Sequence, residues 1–359
     1  MYRYLTALIF ILPCGSAFAQ YPQVAIPGSE VRKINSAIVK QDYELHILLP
    51  GNYAGNTKKY PVVYLMDSQW DFPLVKSLYG QQYYDGFIPE LIIVGITWGG
   101  VRPDPDSLRA RDYTPTSDGR IQQAGGADKF LSFMKEELFP FVENNYRALD
   151  TGRILMGCSL GGLFTLYTLF TQPALFDGYI AASPALGWDN QVMQKFEKEF
   201  SGAKLKSRAR VYMTVGDVER SRPVYQKFAA KMTGRNYPAT IHSKVLENTG
   251  HSGTKGETYS RGLQFIFRRP DLTPAPAVLS RYAGKYLTGQ GDTIEFKDES
   301  GRLVMYASPG EKYILSAASD TAFYSRSEFL NISVRMDGSK VDGCWLHSYG
   351  SSRFLRKID

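Results

Sequence analysis

The feature that most constrains this sequence is a serine between two glycines, Gly157-Cys-Ser-Leu-Gly161, at the junction of two apolar segments. The segment before it, Arg153 to Met156, has the apolar character of a buried strand, and the segment after it, Leu160 to Phe170, is typical of a buried helix. A serine in such a turn is held in a strained backbone conformation that lifts its hydroxyl above the sheet, and the glycines avoid a collision there. We therefore predict that Ser159 is a nucleophile.

A serine hydroxyl becomes a good nucleophile only when a base takes its proton. The chain has four histidines, of which His46 and His242 lie in predicted strands and His347 lies near the C-terminus. His251 instead follows the strand that ends at Leu246, in a loop between two glycines and just before a helix. This place after the last core strand fits the chain order serine, acid, histidine. We predict that His251 is the base.

The acid that orients the imidazole is expected in the loop after the strand Val211 to Val215. Two carboxylates lie there, Asp217 and Glu219. Asp217 can equally brace the loop through backbone amides, and Glu219 can equally pair with a neighbouring arginine. We favour Glu219 and keep Asp217 as the alternative acid.

An oxyanion hole needs two donors where negative charge develops. The amide of Leu160, directly after the nucleophile, is the first expected donor. The second is expected from the loop after Met66, Asp67 to Trp70, with Gln69 or a neighbour as the candidate.

The alternation of apolar runs along the chain predicts an α/β architecture, a mostly parallel sheet with helices on both faces. This pattern ends at a proline-rich segment, residues 270–277, which we interpret as a linker. Short strands separated by turns follow, and they predict a small all-β domain over residues 278–359, an antiparallel barrel or sandwich. The catalytic domain would then span residues 20–269.

The first 19 residues have the pattern of a signal peptide. An apolar stretch runs from Leu5 to Leu12, and Ala17-Phe-Ala19 is a small-x-small cleavage site. Pro13 before Cys14 does not suit lipidation of that cysteine. We predict cleavage before Gln20 and export, to the periplasm or the medium. No other segment is apolar enough to span a membrane.

Composition argues against several other classes of protein. The net charge of +7 comes from scattered residues without a Lys/Arg block, which disfavours nucleic-acid binding. No His/Cys/Asp cluster has the spacing of a metal site, no cofactor motif is evident, and no Ser-x-x-Lys opens a helix as in a β-lactamase. The two mature cysteines, Cys158 and Cys344, lie in different predicted domains and are not expected to form a disulfide. The sequence carries no signal for the oligomeric state.

Several stretches together resemble the esterase D-type family of α/β hydrolases, which includes siderophore esterases, feruloyl esterases and S-formylglutathione hydrolase. They are the following: Val62-Val-Tyr-Leu-Met-Asp67 with Trp70, Arg111-Asp-Tyr-Thr-Pro115, Gly125-Gly-Ala-Asp-Lys-Phe-Leu131, Met156-Gly-Cys-Ser-Leu-Gly-Gly-Leu163, Phe176, Ala182-Ser-Pro184 and the Gly250-His251 loop.

The resemblance covers about residues 31–267 and implies an α/β-hydrolase fold and hydrolysis of a carboxylic ester. The family's acid commonly falls three residues after the glycine that ends its strand, which is Glu219 here. Cys158 stands where many relatives carry histidine, which should alter packing under the turn but not the mechanism. The tail, through Tyr282-Ala-Gly-Lys-Tyr286, resembles small β-domains found behind some exported hydrolases and β-lactamase-like proteins.

The loop from Trp98 to Thr114 is expected to overhang the site. Its Arg111 and Trp98, together with Trp70 and Trp188, are candidates to bind an anionic or aromatic acyl group. Alternatively, Arg111 pairs with a nearby aspartate and shapes the loop. The substrate implied by the resemblance is a small-molecule ester, either a siderophore trilactone or a carbohydrate or feruloyl ester. An acyltransferase of the same fold and a catalytically silent binding protein are the alternatives.

Overall fold

The structure is a computed structural model, and it describes residues 25–119, 121–201, 209–235, 237, 239–308, 310–348 and 351–358. The predicted signal peptide, with Cys14 and the cleavage site before Gln20, lies outside the described residues. No helix among those described combines the length and the apolar content needed to cross a bilayer.

The first of two eight-stranded sheets is open and has the strand order β1-β2-β4-β3-β5-β6-β7-β8. Strands β3 to β8 are parallel, and β1 and β2 extend the sheet in antiparallel fashion. The strands are β1 (Ser29–Ser36), β2 (Gln41–Leu48), β3 (Tyr60–Leu65), β4 (Ile92–Trp98), β5 (Ala148–Cys158), β6 (Gly178–Ala182), β7 (Arg210–Gly216) and β8 (Thr240–Leu246).

Helices cover both faces of this sheet. They are α1 (Ser68–Tyr84), α2 (Pro105–Tyr113), α3 (Ala127–Phe133), a π-helical turn (Met134–Leu138), α4 (Phe139–Asn145), α5 (Leu160–Thr171), α6 (Trp188–Gln191), α7 (Met193–Ser201), α8 (Arg222–Thr233) and α9 (Thr254–Ile266). Each face has its own apolar cluster, and successive residues of β3 alternate between them: Val62 and Tyr64 belong to one, Val63 and Leu65 to the other. Burial on both faces explains why these strands are near-continuous apolar runs. The predicted α/β-hydrolase fold is confirmed.

Two helices lie where loops were expected. Helix α1 begins directly after Asp67, and it was missed because Pro73 interrupts it and exposed aromatic residues weaken its apolar pattern. Helix α2 occupies much of the predicted overhanging loop. Asp104 caps its first turn by accepting a hydrogen bond from the Asp106 N–H, and Pro105 stands at its first position.

The C-terminal strands form a closed antiparallel barrel, in the order β10-β11-β12-β13-β14-β15-β16-β9. They are β9 (Gly284–Leu287), β10 (Thr293–Glu299), β11 (Arg302–Ser308), β12 (Glu311–Ala317), β13 (Ala322–Ser325), β14 (Leu330–Asp337), β15 (Lys340–Ser348) and β16 (Ser351–Lys357). Of the two forms predicted for the β-domain, the barrel is therefore the one found.

A short helix, α10 (Pro276–Tyr282), begins inside the segment predicted as a linker, residues 270–277, and no helix was predicted there. Pro276 suits the first turn of a helix, where its missing N–H is not needed. Leu279 and Tyr282 of this helix are buried in the apolar cluster of the barrel. The helix is too short to show a periodic pattern, but it anchors the barrel core.

Candidate active site

Ser159 stands between β5 and α5, so the predicted strand–turn–helix is confirmed. Its backbone has φ 58° and ψ −116°, a conformation that a non-glycine residue rarely adopts. A Cβ at Gly157 would lie 2.6 Å from the carbonyl carbon of Gly161, which is why glycine is needed there. The tight turn brings the first turn of α5 against the end of its own strand.

The ends of four neighbouring strands bring three predicted site residues, together with Ser183, to one edge of the sheet. Ser159 follows β5, Ser183 follows β6, Glu219 follows β7 and His251 follows β8. Backbone hydrogen bonds hold Ser159 and Ser183 in place. The Ser159 N–H donates to Ala182 O at 3.0 Å, and the Ser183 N–H donates to a carbonyl oxygen of β7. Carboxyl ends of parallel strands in open α/β sheets are where ligand sites form.

Glu219 and His251 are in direct contact, with 2.7 Å between His251 Nδ1 and Glu219 Oε2. The Glu219 side chain is 5% exposed, whereas that of His251 is 50% exposed. The buried carboxylate also accepts hydrogen bonds from Ser183 Oγ at 2.5 Å and from the Gly216 N–H at 2.7 Å. Burial alone would raise the pKa of Glu219, but the hydrogen bonds from Ser183, His251 and Gly216 outweigh it and lower the pKa.

Ser183 is a member of this network that the sequence analysis did not identify. It has φ 40°, and its hydroxyl lies 2.9 Å from Thr254 Oγ1, which in turn lies 2.7 Å from His251 O. Ser183 thus connects the carboxylate to the start of α9 and the histidine loop. Its only sequence signal was its place in the Ala182-Ser-Pro184 stretch that carried the family resemblance.

Asp217 serves the neighbouring loop instead. Its Oδ1 accepts a hydrogen bond from the Thr249 N–H at 3.1 Å, and its own N–H donates to Leu246 O at 2.9 Å. Hydrogen bonds from the Thr249 and Asn248 amides lower the pKa of Asp217. The structure therefore pairs Glu219 with the imidazole and leaves Asp217 in the bracing position.

Two helix N-termini meet at the serine. Leu160 is the first residue of α5 and Gln69 is the second of α1, and amides in a first helical turn have no partner within their helix. A Cβ at Gly161 would lie 3.1 Å from Met66 Cβ, so the start of α1 lies directly beside the elbow. Asp67 holds the turn with φ 54°. The start of α1, with the candidate donor Gln69, therefore lies close to the start of α5, with the candidate donor Leu160.

An exposed tryptophan and a fixed arginine border this region. Arg109 donates from Nε and Nη2 to the two oxygens of buried Asp67, at 3.0 and 2.8 Å. Its guanidinium carbon lies 5.7 Å from the centre of the Trp70 ring, and Trp70 is 50% exposed. Trp70 thus offers a free aromatic face near the elbow.

Arg111 and Trp98 belong to a network around buried Asp112. Asp112 accepts hydrogen bonds from Trp98 Nε1 at 2.7 Å, from Arg111 Nε at 2.7 Å and from Tyr43 Oη at 2.8 Å. Trp98 is 3% exposed. These contacts favour the alternative in which Arg111 pairs with an aspartate and shapes this part of the chain.

Trp188 is largely buried in α6, and its indole N–H donates to Thr116 O at 2.9 Å. This contact fixes the segment that follows α2. The Trp188 N–H is therefore used in a contact between α6 and that segment.

Cys158 lies in a buried layer beneath the elbow. Lys255 Nζ and Tyr259 Oη donate to the two oxygens of Asp71, at 2.6 and 2.8 Å, and so link α9 to α1. Burial raises the pKa of the Cys158 thiol to about 12. Cys158 and Cys344 are both buried free thiols. Among the described residues, no group of three or more His, Cys, Asp or Glu side chains is placed to hold a metal ion.

Comparisons with known proteins identify the family of this chain. The family model described as "Putative esterase" matches residues 36–258, a span that contains the elbow and the Glu219–His251 pair. The ferri-bacillibactin esterase BesA of Bacillus subtilis (strain 168) is 30% identical over 209 residues, which are 54% of this chain and 72% of that protein.

Two solved structures are similar over the same region. The BES protein from Bacillus cereus has a TM-score of 0.62 at 26% identity, over 69% of this chain and 97% of that one. An IroE-like serine hydrolase from Shewanella oneidensis has a TM-score of 0.59 at 27% identity, over 67% of this chain and 80% of that one.

Proposed function

We propose that Ser159, His251 and Glu219 are the catalytic triad of this chain. The chain belongs to the "Putative esterase" family and is therefore an esterase. The observation that carries this proposal is the contact between Glu219 Oε2 and His251 Nδ1 at 2.7 Å, at the same sheet edge as the strained serine. A buried carboxylate on one imidazole nitrogen fixes the tautomer in which the other nitrogen, Nε2, is free to accept a proton.

The mechanism begins when the Ser159 oxygen attacks the ester carbonyl and His251 Nε2 takes the hydroxyl proton. The tetrahedral oxyanion would receive hydrogen bonds from the amides of Leu160 and Gln69, at the starts of α5 and α1. The C–O bond to the leaving alcohol then breaks, and His251 returns the proton to that alcohol. An acyl-enzyme on Ser159 remains.

Water completes the cycle. His251 takes a proton from water, the resulting hydroxide attacks the acyl carbonyl, and the bond to Ser159 Oγ breaks as the proton returns to the serine. Glu219 stays ionised throughout and stabilises the imidazolium. The products are a carboxylic acid and an alcohol, and the enzyme is restored.

For the substrate we propose a siderophore ester. The support is the similarity to the ferri-bacillibactin esterase, together with the Trp70 face beside Arg109 at the rim of the site. An aromatic acyl group of a siderophore can stack on an exposed indole, and Arg109, which is held by Asp67, lies beside that ring.

The test uses purified wild type and Ser159→Ala, with Ser132→Ala on α3 as the matched control. Wild type and the control should hydrolyse 4-nitrophenyl acetate and a siderophore trilactone, and should react with a fluorophosphonate probe. Ser159→Ala should do none of these. Hydrolysis that survives in Ser159→Ala would refute the nucleophile. Nitrophenyl hydrolysis without trilactone hydrolysis would refute only the substrate, and transfer of the acyl group to added alcohol in preference to water would indicate an acyltransferase.

A further inference from the structure

The barrel meets the hydrolase domain at the edge of the sheet opposite Ser159. The contact includes Gly86, which precedes β4, whereas Ser159 follows the carboxyl end of the parallel strand β5. A Cβ at Gly86 would lie 2.8 Å from the Phe329 ring, so the two domains approach closely there. Arg269 joins them, because it donates to Gly86 O at 2.8 Å and to the Asn331 side chain.

A cavity of about 830 Å³ lies beside this contact, lined by residues of both domains. Its apolar walls include Tyr83, Phe87, Ile88, Phe267 and Phe329. Lys58, Arg269 and His347 add polar groups, and Glu90 lies 3.7 Å from the Lys58 ammonium. Aromatic walls with a few polar groups, at a domain interface and at this volume, are typical of small-molecule sites.

The surroundings of Arg269 indicate which charge a ligand in this cavity would carry. Its guanidinium is half-buried, and its contacts in the described part of the chain are neutral: two amide-type oxygens and the Tyr324 ring, 3.9 Å away. Burial lowers the pKa of Arg269. A guanidinium withdrawn from water without a carboxylate partner gains from a bound anion.

A second cavity, about 600 Å³, shares Gly86, Phe87 and Arg269 with the first, so these residues form the wall between the two. Its lining adds Arg261, Arg268 and Arg326, against the single carboxylate of Asp85. Arg326 is 3.5 Å from Asp271, which offsets part of its charge. The field on this side of the wall is therefore positive and favours an anion at Arg269.

We propose that the cavity between the hydrolase domain and the barrel binds an amphipathic organic anion. Its aromatic or acyl body packs against Tyr83, Phe267 and Phe329, and its carboxylate or sulfonate pairs with Arg269. This site does not depend on the ester chemistry at Ser159, since the two lie at opposite edges of the sheet.

The test measures binding of 8-anilinonaphthalene-1-sulfonate, an aromatic sulfonate, to the full chain by its fluorescence. Gly51 lines the cavity, and a Cβ there would have no heavy atom within 4 Å, so Gly51→Phe fills space without removing a contact. Gly289→Phe is the matched control, because Gly289 has the same free space and does not line the cavity. We expect one saturable site in wild type, in Gly289→Phe and in Ser159→Ala, loss of binding in Gly51→Phe, and about tenfold weaker binding in Arg269→Gln.

Competition then tests the charge of the ligand. 4-Phenylbutyrate should displace the probe at least about tenfold better than the neutral 4-phenylbutanol, since only the acid can pair with a guanidinium. Equal displacement by the two, or wild-type affinity in Gly51→Phe, would overturn the proposal. If Arg269→Gln lowers the melting temperature by loosening the domain contact, Gly51→Phe and the competition decide the question.

Discussion

The role assigned to Glu219 leads to a quantitative prediction for Glu219→Gln, which keeps the shape of the side chain and removes its charge. The amide oxygen can still accept from Ser183 and from the Gly216 N–H, so the buried hydrogen bonds on that side survive. In wild type a Glu219 carboxylate oxygen accepts from His251 Nδ1 at 2.7 Å. In the variant the amide nitrogen takes the place of that oxygen, and it can only donate to Nδ1. The imidazole must then carry its proton on Nε2, and the base is lost.

The expected result is a fall in kcat of about 10³- to 10⁴-fold with little change in KM, because the carboxylate acts on the transition state and not on substrate binding. This loss corresponds to about 4–5.5 kcal/mol of transition-state stabilisation. Steady-state hydrolysis of 4-nitrophenyl acetate measures it, with circular dichroism melting as the check on folding.

Asp217→Asn is the matched control. Its amide oxygen can still accept from the Thr249 N–H, so we expect hydrolysis within about threefold of wild type. A Glu219→Gln enzyme that keeps more than a tenth of wild-type kcat would refute the assignment. Equal losses in the two variants would also refute it, because they would show that the effect comes from the loop and not from the triad.

The low pKa of Glu219 gives the same variant a signature in stability. The folded-state pKa lies below the ordinary value of 4.5, so the charge stabilises the folded protein above that pH, and this contribution is lost as pH falls through the folded-state pKa. The difference in free energy of unfolding between wild type and Glu219→Gln should therefore shrink as the pH falls below 4.5. Urea unfolding at pH values on both sides of 4.5 measures it, and a difference that does not shrink at acid pH would contradict this account.

Three further predictions concern other parts of the chain. Gly216→Ala should lower the free energy of unfolding by about 1–3 kcal/mol, because its Cβ would lie 1.9 Å from Thr249 O. Gly187→Ala, where the Cβ has free space, should change the free energy of unfolding little, and urea unfolding compares the two variants. Cys158 and Cys344 should resist iodoacetamide at pH 8 until the protein is denatured, because burial raises both thiol pKa values to about 12. Mass spectrometry measures the modification, and alkylation of the native protein would contradict this prediction. Protein expressed with its leader in a bacterial host should start at Gln20, and an intact mass that includes residues 1–19 would exclude the predicted cleavage.

The core strands β3 to β7 could be predicted because they are largely buried on both faces. Their apolar runs are unbroken and contrast with the turns around them, as in Ile92–Trp98. Helix α1 was not predictable by the same means, since Pro73 lies inside it and Trp70 and Tyr84 are exposed on its surface.

The residues of the candidate site likewise include some that the sequence could predict and some that it could not. Glu219 and His251 could be placed because each follows a recognisable strand, and parallel strands bring their carboxyl ends to one edge. Ser183 could not, because its hydrogen bond to Glu219 depends on β6 lying next to β7, which local sequence does not state. Arg111 and Trp98 had the composition of a binding surface, and local sequence could not predict their contacts with Asp112, which favour the alternative role of shaping this part of the chain.

The closure of the barrel has a consequence for how copies of this chain can associate. A closed barrel leaves no open strand edge, so within the described residues only β1 and β8 can offer unpaired backbone groups to another chain. Both are protected by charge: β1 carries Glu30, Arg32 and Lys33, and β8 carries Lys244, whose ammonium pairs with Glu257 at 2.6 Å. Charged edge strands resist pairing with one another, so aggregation through edge-to-edge strand pairing is disfavoured at both edges of the open sheet.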